Sequence, residues 1–237
     1  MAHYSTVEYL QGQNFRVYYP DEIQEAVINA IKAGRLWEKK LINRYKNMIK
    51  EGDTVLDIGC YLGTHAICFS QLVGDSGVVH AFEPQTEIYA LLEKTITENN
   101  ITNVKLYNQA VYSSVGTIEF SNTNNGKASI SHIRPRLPSP VKKIVETVTV
   151  DMLKLNRCDF IKMDIEMGEW QALIGAEETI NKFKPIIFLE TFKKPKNLIK
   201  LKDWCESHKY KSENVGGADF VLEPTCKTQD YHQEIYP

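Results

Sequence analysis

A short stretch of the chain, TVLDIGCYLG over residues 54–63, places an aspartate and two glycines directly after a mostly apolar run. The run TVLDI is typical of a strand that is covered on both faces. Gly59 and Gly63 allow positive φ angles, so backbone N–H groups can approach a ligand closely, and the helix predicted to follow begins with free N–H groups. The spacing indicates a ligand-binding loop between a strand and a helix. A tight turn that binds nothing is the alternative.

The order of aspartate and glycines narrows the ligand class. A dinucleotide loop also uses glycines after its first strand, but its G-x-G-x-x-G pattern needs a third glycine that is missing here. The pattern D-x-G-x-x-x-G favours S-adenosylmethionine (SAM) instead. The contacts expected from this stretch come from five residues, Asp57, Gly59, Cys60, Gly63 and Thr64.

A second acidic residue, Glu83 in the stretch HAFEP, ends the next predicted strand. A carboxylate there can accept two hydrogen bonds from the vicinal hydroxyls of a ribose, a use shared by NAD-binding and SAM-binding folds. A solvated carboxylate at a strand end is the alternative. The expected cofactor-binding set also includes Pro84, and Asn108 and Ala110 after the third predicted strand.

Two further carboxylates, Asp164 and Glu166, follow the predicted buried strand CDFIKMDI (158–165). An alcohol is a weak nucleophile, so a positioned base would add about 10²–10⁴-fold to the rate of its methylation. The pair can act as base and orienter, share one proton, bind a divalent cation, or cap a helix N-terminus. His65 and Glu190 are the next candidates, although His65 can equally fill space at a helix start.

The elements around these residues alternate between strand and helix, which predicts an α/β fold with a parallel sheet and right-handed crossovers. Helices are expected over 64–73, 86–100, 169–183 and 197–210, and strands over 54–58, 77–84, 103–107, 144–150, 158–165, 184–190 and 218–224. We expect one domain over residues 1–237, with a helical lead-in over 1–50. The alternation lapses from about residue 112, and 121–143 is expected to be a basic, proline-containing loop on the acceptor side.

Composition limits the classes of partner. The chain has 237 residues and a net charge of −2, so its overall electrostatic field would not attract nucleic acid or an anionic membrane. Its five cysteines include no C-x-x-C pair, which argues against a disulfide scaffold or a structural zinc and favours the cytoplasm. No stretch has the roughly 20 apolar residues that a membrane span needs.

Five motifs in this order resemble the FkbM family of SAM-dependent methyltransferases over residues 35–190. They are GDTVLDIGCYLG, HAFEP, NQAVYSSVGTIEF, TVTVDML and FIKMDIEMGEWQALIGAEETINKFKPIIFLE. The resemblance implies a class I methyltransferase (Rossmann-like) fold, with helices on both faces of a mostly parallel seven-stranded sheet whose last strand is antiparallel. It also implies O-methylation, often of sugars.

The resemblance assigns roles to individual residues. Asp57, Gly59 and Gly63 match the family's glycine loop, and Glu83 matches its ribose-binding acid. Glu38 matches an acid that should lie near the SAM amino group. Four residues match the pattern K-x-D-x-E-G-x-E, namely Lys162, Asp164, Glu166 and Glu169, and Asp164 is also expected to border the cofactor.

One position departs from the family pattern, because Met167 stands where the family usually has glycine. A residue other than glycine tolerates positive φ poorly. Lys162 is expected to pair with Glu190 or Glu166 as a structural ion pair. The reading favoured by the resemblance is an O-methyltransferase acting on a carbohydrate hydroxyl. The alternatives are an O-methyltransferase of a small-molecule secondary metabolite and a SAM-binding module that has lost activity.

Overall fold

The structure is a computed structural model that describes residues 3–21, 23, 25–122, 128–130, 141–165, 168–191 and 194–226. Its strands are β1 (His3–Glu8), β2 (Asn14–Tyr19), β3 (Thr54–Ile58), β4 (Val78–Phe82), β5 (Val104–Tyr107), β6 (Ala110–Val111), β7 (Gly116–Asn122), β8 (Ala128–Ile130), β9 (Val141–Val148), β10 (Phe160–Met163), β11 (Ile186–Glu190), β12 (Tyr210–Gly216) and β13 (Asp219–Pro224). Its α-helices are α1 (Ala26–Lys32), α2 (Lys39–Met48), α3 (Thr64–Val73), α4 (Thr86–Glu98), α5 (Glu169–Ile174), α6 (Glu177–Phe183) and α7 (Pro195–His208).

Seven strands form the central sheet in the order β12-β13-β11-β10-β3-β4-β5. The five strands from β11 to β5 pair in parallel, and β13 runs antiparallel to both of its neighbours. Every residue of β3 is buried, as expected for a strand in the middle of a sheet covered on both faces. The predicted α/β class, with a mostly parallel seven-stranded sheet, is confirmed.

Helices cover both faces of this sheet because successive strand residues point to opposite sides. Val55 and Phe160 pack on one side with apolar residues of α1 to α4. Leu56 packs on the other side with apolar residues of α5, α6 and α7. Asp57 and Lys162 lie two residues after Val55 and Phe160, so their side chains belong to the face covered by α2 and α3. No helix in the described part of the chain is long and apolar enough to cross a membrane.

The helix predicted over 169–183 is two helices, α5 and α6. The Asp151 carboxylate accepts hydrogen bonds from the backbone N–H groups of Glu178 and Thr179, in the first turn of α6. This cap gives α6 an N-terminus of its own. A second difference follows α7, where the chain forms two strands, β12 and β13, instead of the single strand that was predicted.

The first part of the predicted helical lead-in over 1–50 is a β-hairpin. β1 and β2 pair in an antiparallel register that runs from His3↔Tyr19 to Glu8↔Asn14. Polar side chains of α4 satisfy the free edge of β2, since the Tyr18 N–H donates to the Thr95 hydroxyl. The helical part of the prediction agrees with α1 and α2.

The segment expected to be a loop over 121–143 contributes strands where it is described. Strands β6, β9, β7 and β8 form a second, four-stranded sheet in that order. β7 and β9 pair at seven positions, from Gly116↔Thr147 to Asn122↔Val141, so backbone hydrogen bonding orders both ends of the segment. Residues 123–127 and 131–140 lie outside the described residues.

Candidate functional site

The sequence motifs converge at the carboxyl ends of β3, β4 and β10. The Asp164 N–H donates to the Ile58 carbonyl, and the N–H groups of Gly59 and Cys60 lie 3.1 Å from the Phe82 carbonyl oxygen. These backbone contacts fix the glycine loop between the ends of its two neighbouring strands. Ligands of open α/β sheets bind at such an edge.

Gly59 and Gly63 leave room for close approach in the loop after β3. Gly59 has φ +83°, and a Cβ atom there would lie 2.0 Å from the Asp164 carbonyl oxygen. Gly63 has φ +77°, and a Cβ there would lie 2.3 Å from Leu92 Cδ1. Because L-residues avoid both the backbone angle and the overlap, glycine is required at both positions. Thr64 is buried and begins α3.

Glu83 is a buried carboxylate held in a fixed orientation. Its Oε2 accepts the Tyr61 N–H at 3.1 Å, and its Oε1 accepts the Gln85 N–H at 2.8 Å. Burial raises the pKa of Glu83 to about 7, although these hydrogen bonds oppose the rise. Each carboxylate oxygen keeps capacity for a further hydrogen bond, so the group suits a diol such as a ribose.

The other residues that were predicted to bind the cofactor after β4 and β5 lie near Glu83, either in the sequence or in space. The Asn108 side-chain amide donates to the Glu83 carbonyl oxygen at 2.8 Å, and the Thr86 hydroxyl lies 3.2 Å from Asn108 Oδ1. Pro84 is partly exposed, and Ala110 begins β6, two residues after Asn108.

Asp57 is the most enclosed carboxylate of the site, with a side chain that is 0 % exposed. Neither of its oxygens has a hydrogen-bond partner among the described residues. The Lys162 ammonium lies 3.8 Å from Asp57 Oδ1, and the Lys162 side chain is only 3 % exposed. Burial raises the pKa of Asp57 to about 6, and Lys162 opposes that rise.

Asp164 lies on the other side of the same ammonium, with its Oδ2 at 3.4 Å from Lys162 Nζ and its side chain 36 % exposed. Desolvation alone would raise the pKa of Asp164. The Lys162 charge and a hydrogen bond with the Glu190 carboxyl outweigh this and bring that pKa below its ordinary value. Asp164 is therefore ionised at neutral pH, open to solvent in part, and a weak base.

His65 is buried and packs against aromatic rings, with its centroid 5.6 Å from that of Tyr45 and 6.0 Å from that of Phe69. Burial lowers the pKa of His65 to about 3, so the ring is neutral at neutral pH. Its Nε2 lies 3.4 Å from Glu38 Oε2. Burial also raises the pKa of the Glu38 carboxyl, which points toward the same cluster from the start of α2.

The structure brings most of the predicted site residues to one edge of the sheet. It also shows that Lys162 links two of them, Asp57 and Asp164. Lys162 was expected to pair with Glu190 or Glu166, but its ion-pair partners among the described residues are Asp57 and Asp164. Glu190 instead reaches Asp164. The predicted metal pair of Asp164 and Glu166 is not described in full, because Glu166 lies outside the described residues, as does Met167. Within the described ranges, no group of three histidine, cysteine or acidic residues is placed to hold a metal ion.

The sequence carries a partial signal of the Lys162 pairing, but not the strand register that decides it. Asp57 and Lys162 occupy the same relative position on neighbouring parallel strands, where they are register partners. The signal is that two mostly apolar strands each contain one charged residue of opposite sign, Asp57 in β3 and Lys162 in β10. The backbone donors that hold Glu83, from Tyr61 and Gln85, carry no such signal because any residue supplies an N–H.

The model of the methyltransferase FkbM domain matches residues 57–214 of this chain. The chain belongs to the FkbM methyltransferase family. This confirms the resemblance seen in the sequence motifs. The match begins at Asp57 and includes Glu83, Lys162, Asp164 and Glu190.

Solved structures agree on the fold of this FkbM domain. A methyltransferase FkbM from Methylobacillus flagellatus superposes with a TM-score of 0.54 at 14% identity, covering 85% of this chain and 56% of that chain. A SAM-dependent O-methyltransferase from Thermotoga maritima superposes with a TM-score of 0.50 at 14% identity, covering 94% of this chain and 78% of that chain. The fold is that of class I SAM-dependent methyltransferases, and the cofactor is SAM, as predicted.

Two curated relatives match a shorter part of the FkbM chain. Both are protein-L-isoaspartate O-methyltransferases, one from Methanococcus aeolicus (40% identical over 58 residues) and one from Methanocella arvoryzae (37% identical over 59 residues). These matches cover 24% and 25% of this chain and span only 27% and 31% of the relatives' lengths.

The residues present fit SAM. Two carboxylates offer negative charge for the ammonium of its amino-acid part: the fully buried Asp57, whose oxygens lack hydrogen-bond donors among the described residues, and the partly exposed Glu38, to which the resemblance assigns this place. The glycine loop follows the carboxyl end of β3, and the fixed Glu83 carboxyl group has the acceptor capacity that ribose hydroxyls need. The carboxylates therefore match the ammonium of SAM, and Glu83 matches the two hydroxyls of its ribose.

Proposed function

We propose that this FkbM protein is a SAM-dependent O-methyltransferase whose acceptor is a hydroxyl group of a carbohydrate. The observation that carries the proposal is the position of Asp164. Its carboxylate is ionised, partly exposed and hydrogen-bonded with Glu190, and its main chain lies beside the glycine loop. An ionised carboxylate accepts hydrogen bonds from hydroxyl groups, and a carbohydrate offers several of them.

Methyl transfer from SAM is an in-line displacement, so most of the catalysis comes from orientation and the exclusion of water. When bound, SAM supplies an electrophilic methyl group on its sulfonium. Asp164 accepts a hydrogen bond from the acceptor hydroxyl and orients the oxygen toward that methyl group. The hydroxyl becomes strongly acidic as its oxygen gains the methyl carbon, so a carboxylate of low pKa is sufficient to take the proton.

We further propose that residues 1–237 act as one methyltransferase domain and that 121–143 borders the acceptor. Lys143, at the end of that segment, forms an ion pair with Glu87 in the first turn of α4, four residues after Glu83. This contact supports a place for the segment near the cofactor edge of the sheet. The five unpaired cysteines support the cytoplasm as the compartment in which the enzyme acts.

The test is a transfer assay with methyl-labelled SAM and four acceptor classes: a panel of monosaccharides and oligosaccharides, phenolic small molecules, an isoaspartyl peptide, and RNA. The proposal expects label on sugar oxygen, with transfer lost in Asp164→Asn and kept in Asp203→Asn. Asp203 is an exposed aspartate on α7 and serves as the matched control.

The other outcomes are distinct. Label on the phenol, the peptide or RNA would overturn the carbohydrate acceptor, and the absence of transfer by protein that binds SAM would favour a binding module. A parallel reaction with EDTA separates direct hydrogen bonding by Asp164 from cation bridging, because only the latter loses activity.

A further inference from the structure

Lys162 is a buried lysine in the middle of the central sheet. It lies on β10, directly opposite Asp57 of β3, and its side chain is 3 % exposed. A lysine is rarely buried unless its charge is paired. Among the described residues, its ion-pair partners are Asp57 at 3.8 Å and Asp164 at 3.4 Å.

The two carboxylates depend on this one ammonium. No other lysine or arginine among the described residues lies within 4.0 Å of Asp57 or Asp164. Asp57 is also fully buried and has no hydrogen-bond donor within the described part of the chain. An ionised carboxylate that loses its partner in such a place becomes neutral by taking up a proton.

The ammonium in turn stays charged. Burial alone would lower the pKa of Lys162, but Asp164 and Asp57 raise it above its ordinary value, with a further contribution from Glu38. Lys162 therefore cannot act as a proton acceptor at neutral pH. What remains for it is to hold the two carboxylates in place and negatively charged.

We propose that Lys162 is a positioning residue that holds Asp57 negatively charged for the ammonium group of SAM and ties it to Asp164 on the acceptor side. The inference rests on the proposed SAM-dependent function and goes beyond it by giving Lys162 a role. The fully buried Asp57 acts on the ammonium of the cofactor through its charge, Asp164 faces the acceptor, and Lys162 acts through both carboxylates without contacting either ligand.

Other titratable groups also face Asp57 and need to be considered. They are Asp164 of the β10 end, Glu83 of the β4 end, Tyr45 of α2, Cys60 of the glycine loop and Cys68 of α3. Burial raises the pKa of the tyrosine and of both thiols, so these three groups stay neutral from pH 6 to pH 9. Glu83 titrates in that range, with a pKa of about 7. Its contribution is common to the wild type and to every Lys162 variant.

The test is calorimetric binding of S-adenosylhomocysteine, which carries the same ammonium and cannot be turned over, between pH 6 and pH 9. In the wild type, affinity should weaken toward pH 6, where Asp57 with its pKa of about 6 is partly protonated, and also toward pH 9, where the ligand's own ammonium loses its proton. Removing an opposite charge at this distance raises a carboxyl pKa by about 1–3 units. Lys162→Met should therefore bind about tenfold or more weakly than the wild type at pH 7, and the ratio of the two affinities should return toward one by pH 9.

Two variants separate positioning from general stability. Lys162→Arg keeps the charge and should keep the wild-type pH curve. Arg157→Met is the matched control, because Arg157 pairs with the buried Asp53 at the opposite end of β3, and it should leave the pH curve unchanged. In an Asp57→Asn background, Lys162→Met should no longer shift the dependence of affinity on pH, because the carboxylate on which Lys162 acts is absent.

The outcomes keep the two proposals apart. A wild type that does not bind S-adenosylhomocysteine would overturn the cofactor assignment and the role of Lys162 together. Binding by the wild type with an unshifted curve in Lys162→Met would overturn the role of Lys162 alone. If Lys162→Met does not fold, Lys162→Gln is measured in its place. Proton release by the wild type on binding, measured at pH 6 in buffers of different ionisation enthalpy, is a further test, and no release would also overturn the inference.

Discussion

The glycine loop makes a quantitative prediction for Gly59→Ala. Gly59 has φ +83°, and an alanine Cβ would lie 2.0 Å from the Asp164 carbonyl oxygen and 2.8 Å from Ile165 Cγ2. A left-handed backbone angle costs an L-residue about 1–2 kcal/mol. The overlap with the backbone forces β3 and β10 apart at their ends, which by analogy with overpacked cores costs about 1–3 kcal/mol more.

The sum is a loss of about 2–5 kcal/mol in the free energy of unfolding for Gly59→Ala, or about 4–20 °C in Tm for a domain of this size. Gly12→Ala is the matched control. Gly12 has φ +72°, yet a Cβ there meets nothing within 4 Å. It should show the backbone cost alone, about 1–2 kcal/mol and about 2–8 °C.

Chemical denaturation of both variants, followed by fluorescence and circular dichroism, measures the difference directly. Calorimetry with S-adenosylhomocysteine completes the comparison, because only Gly59→Ala should also lose cofactor affinity. Equal losses of stability in the two variants would refute the close approach between the glycine loop and Asp164. Unchanged affinity in a folded Gly59→Ala protein would remove the loop from the cofactor site.

Three further predictions concern the carboxylates. Glu83→Ala should weaken SAM binding by about 1–3 kcal/mol, since it removes the acceptor of two hydroxyls; calorimetry that finds the same affinity would exclude Glu83 from the ribose site. Asp164→Asn should reduce kcat strongly while SAM affinity is largely retained, and near-normal kcat would place the acceptor contact elsewhere, with His65 and Glu190 examined next. Glu83→Gln should change the pH dependence of stability in the ligand-free protein. Burial raises the pKa of Glu83 from 4.5 to about 7, so the folded state binds the proton more tightly, and the wild type loses stability relative to Glu83→Gln as pH rises from 4.5 to 7. Parallel denaturation curves for the two proteins across this pH range would contradict the burial of an ionisable Glu83.

Much of the geometry of the candidate site could be predicted from the sequence because its signals are local. The run TVLDI, the glycine spacing of Gly59 and Gly63, and the acid of HAFEP each lie within a few residues of the backbone feature they determine. The helix predicted over 64–73 has the same bounds as α3. Parallel topology then brings the carboxyl ends of separate strands to one edge, so local motifs far apart in the chain meet without further information.

Other parts of the fold depend on contacts that are distant in sequence. β7 is ordered by its pairing with β9, and the hairpin at 3–19 is satisfied by α4 through Tyr18 and Thr95. α6 begins where it does because Asp151, an element away, caps it. None of these partners affects the hydrophobic periodicity of the segment that it orders, so periodicity alone predicted loop and helix.

The sequence by itself determined the FkbM family, the α/β class, the glycine loop and the carboxylates after β4 and β10. Only the tertiary structure decided how the charges pair. The register of β10 against β3 puts Lys162 opposite Asp57, and the end of β10 brings Asp164 to the same ammonium, while Glu190 reaches Asp164 instead. The physical reason is that a buried charge is paired by whichever opposite charge the strand register places within reach, and register is a property of two strands together.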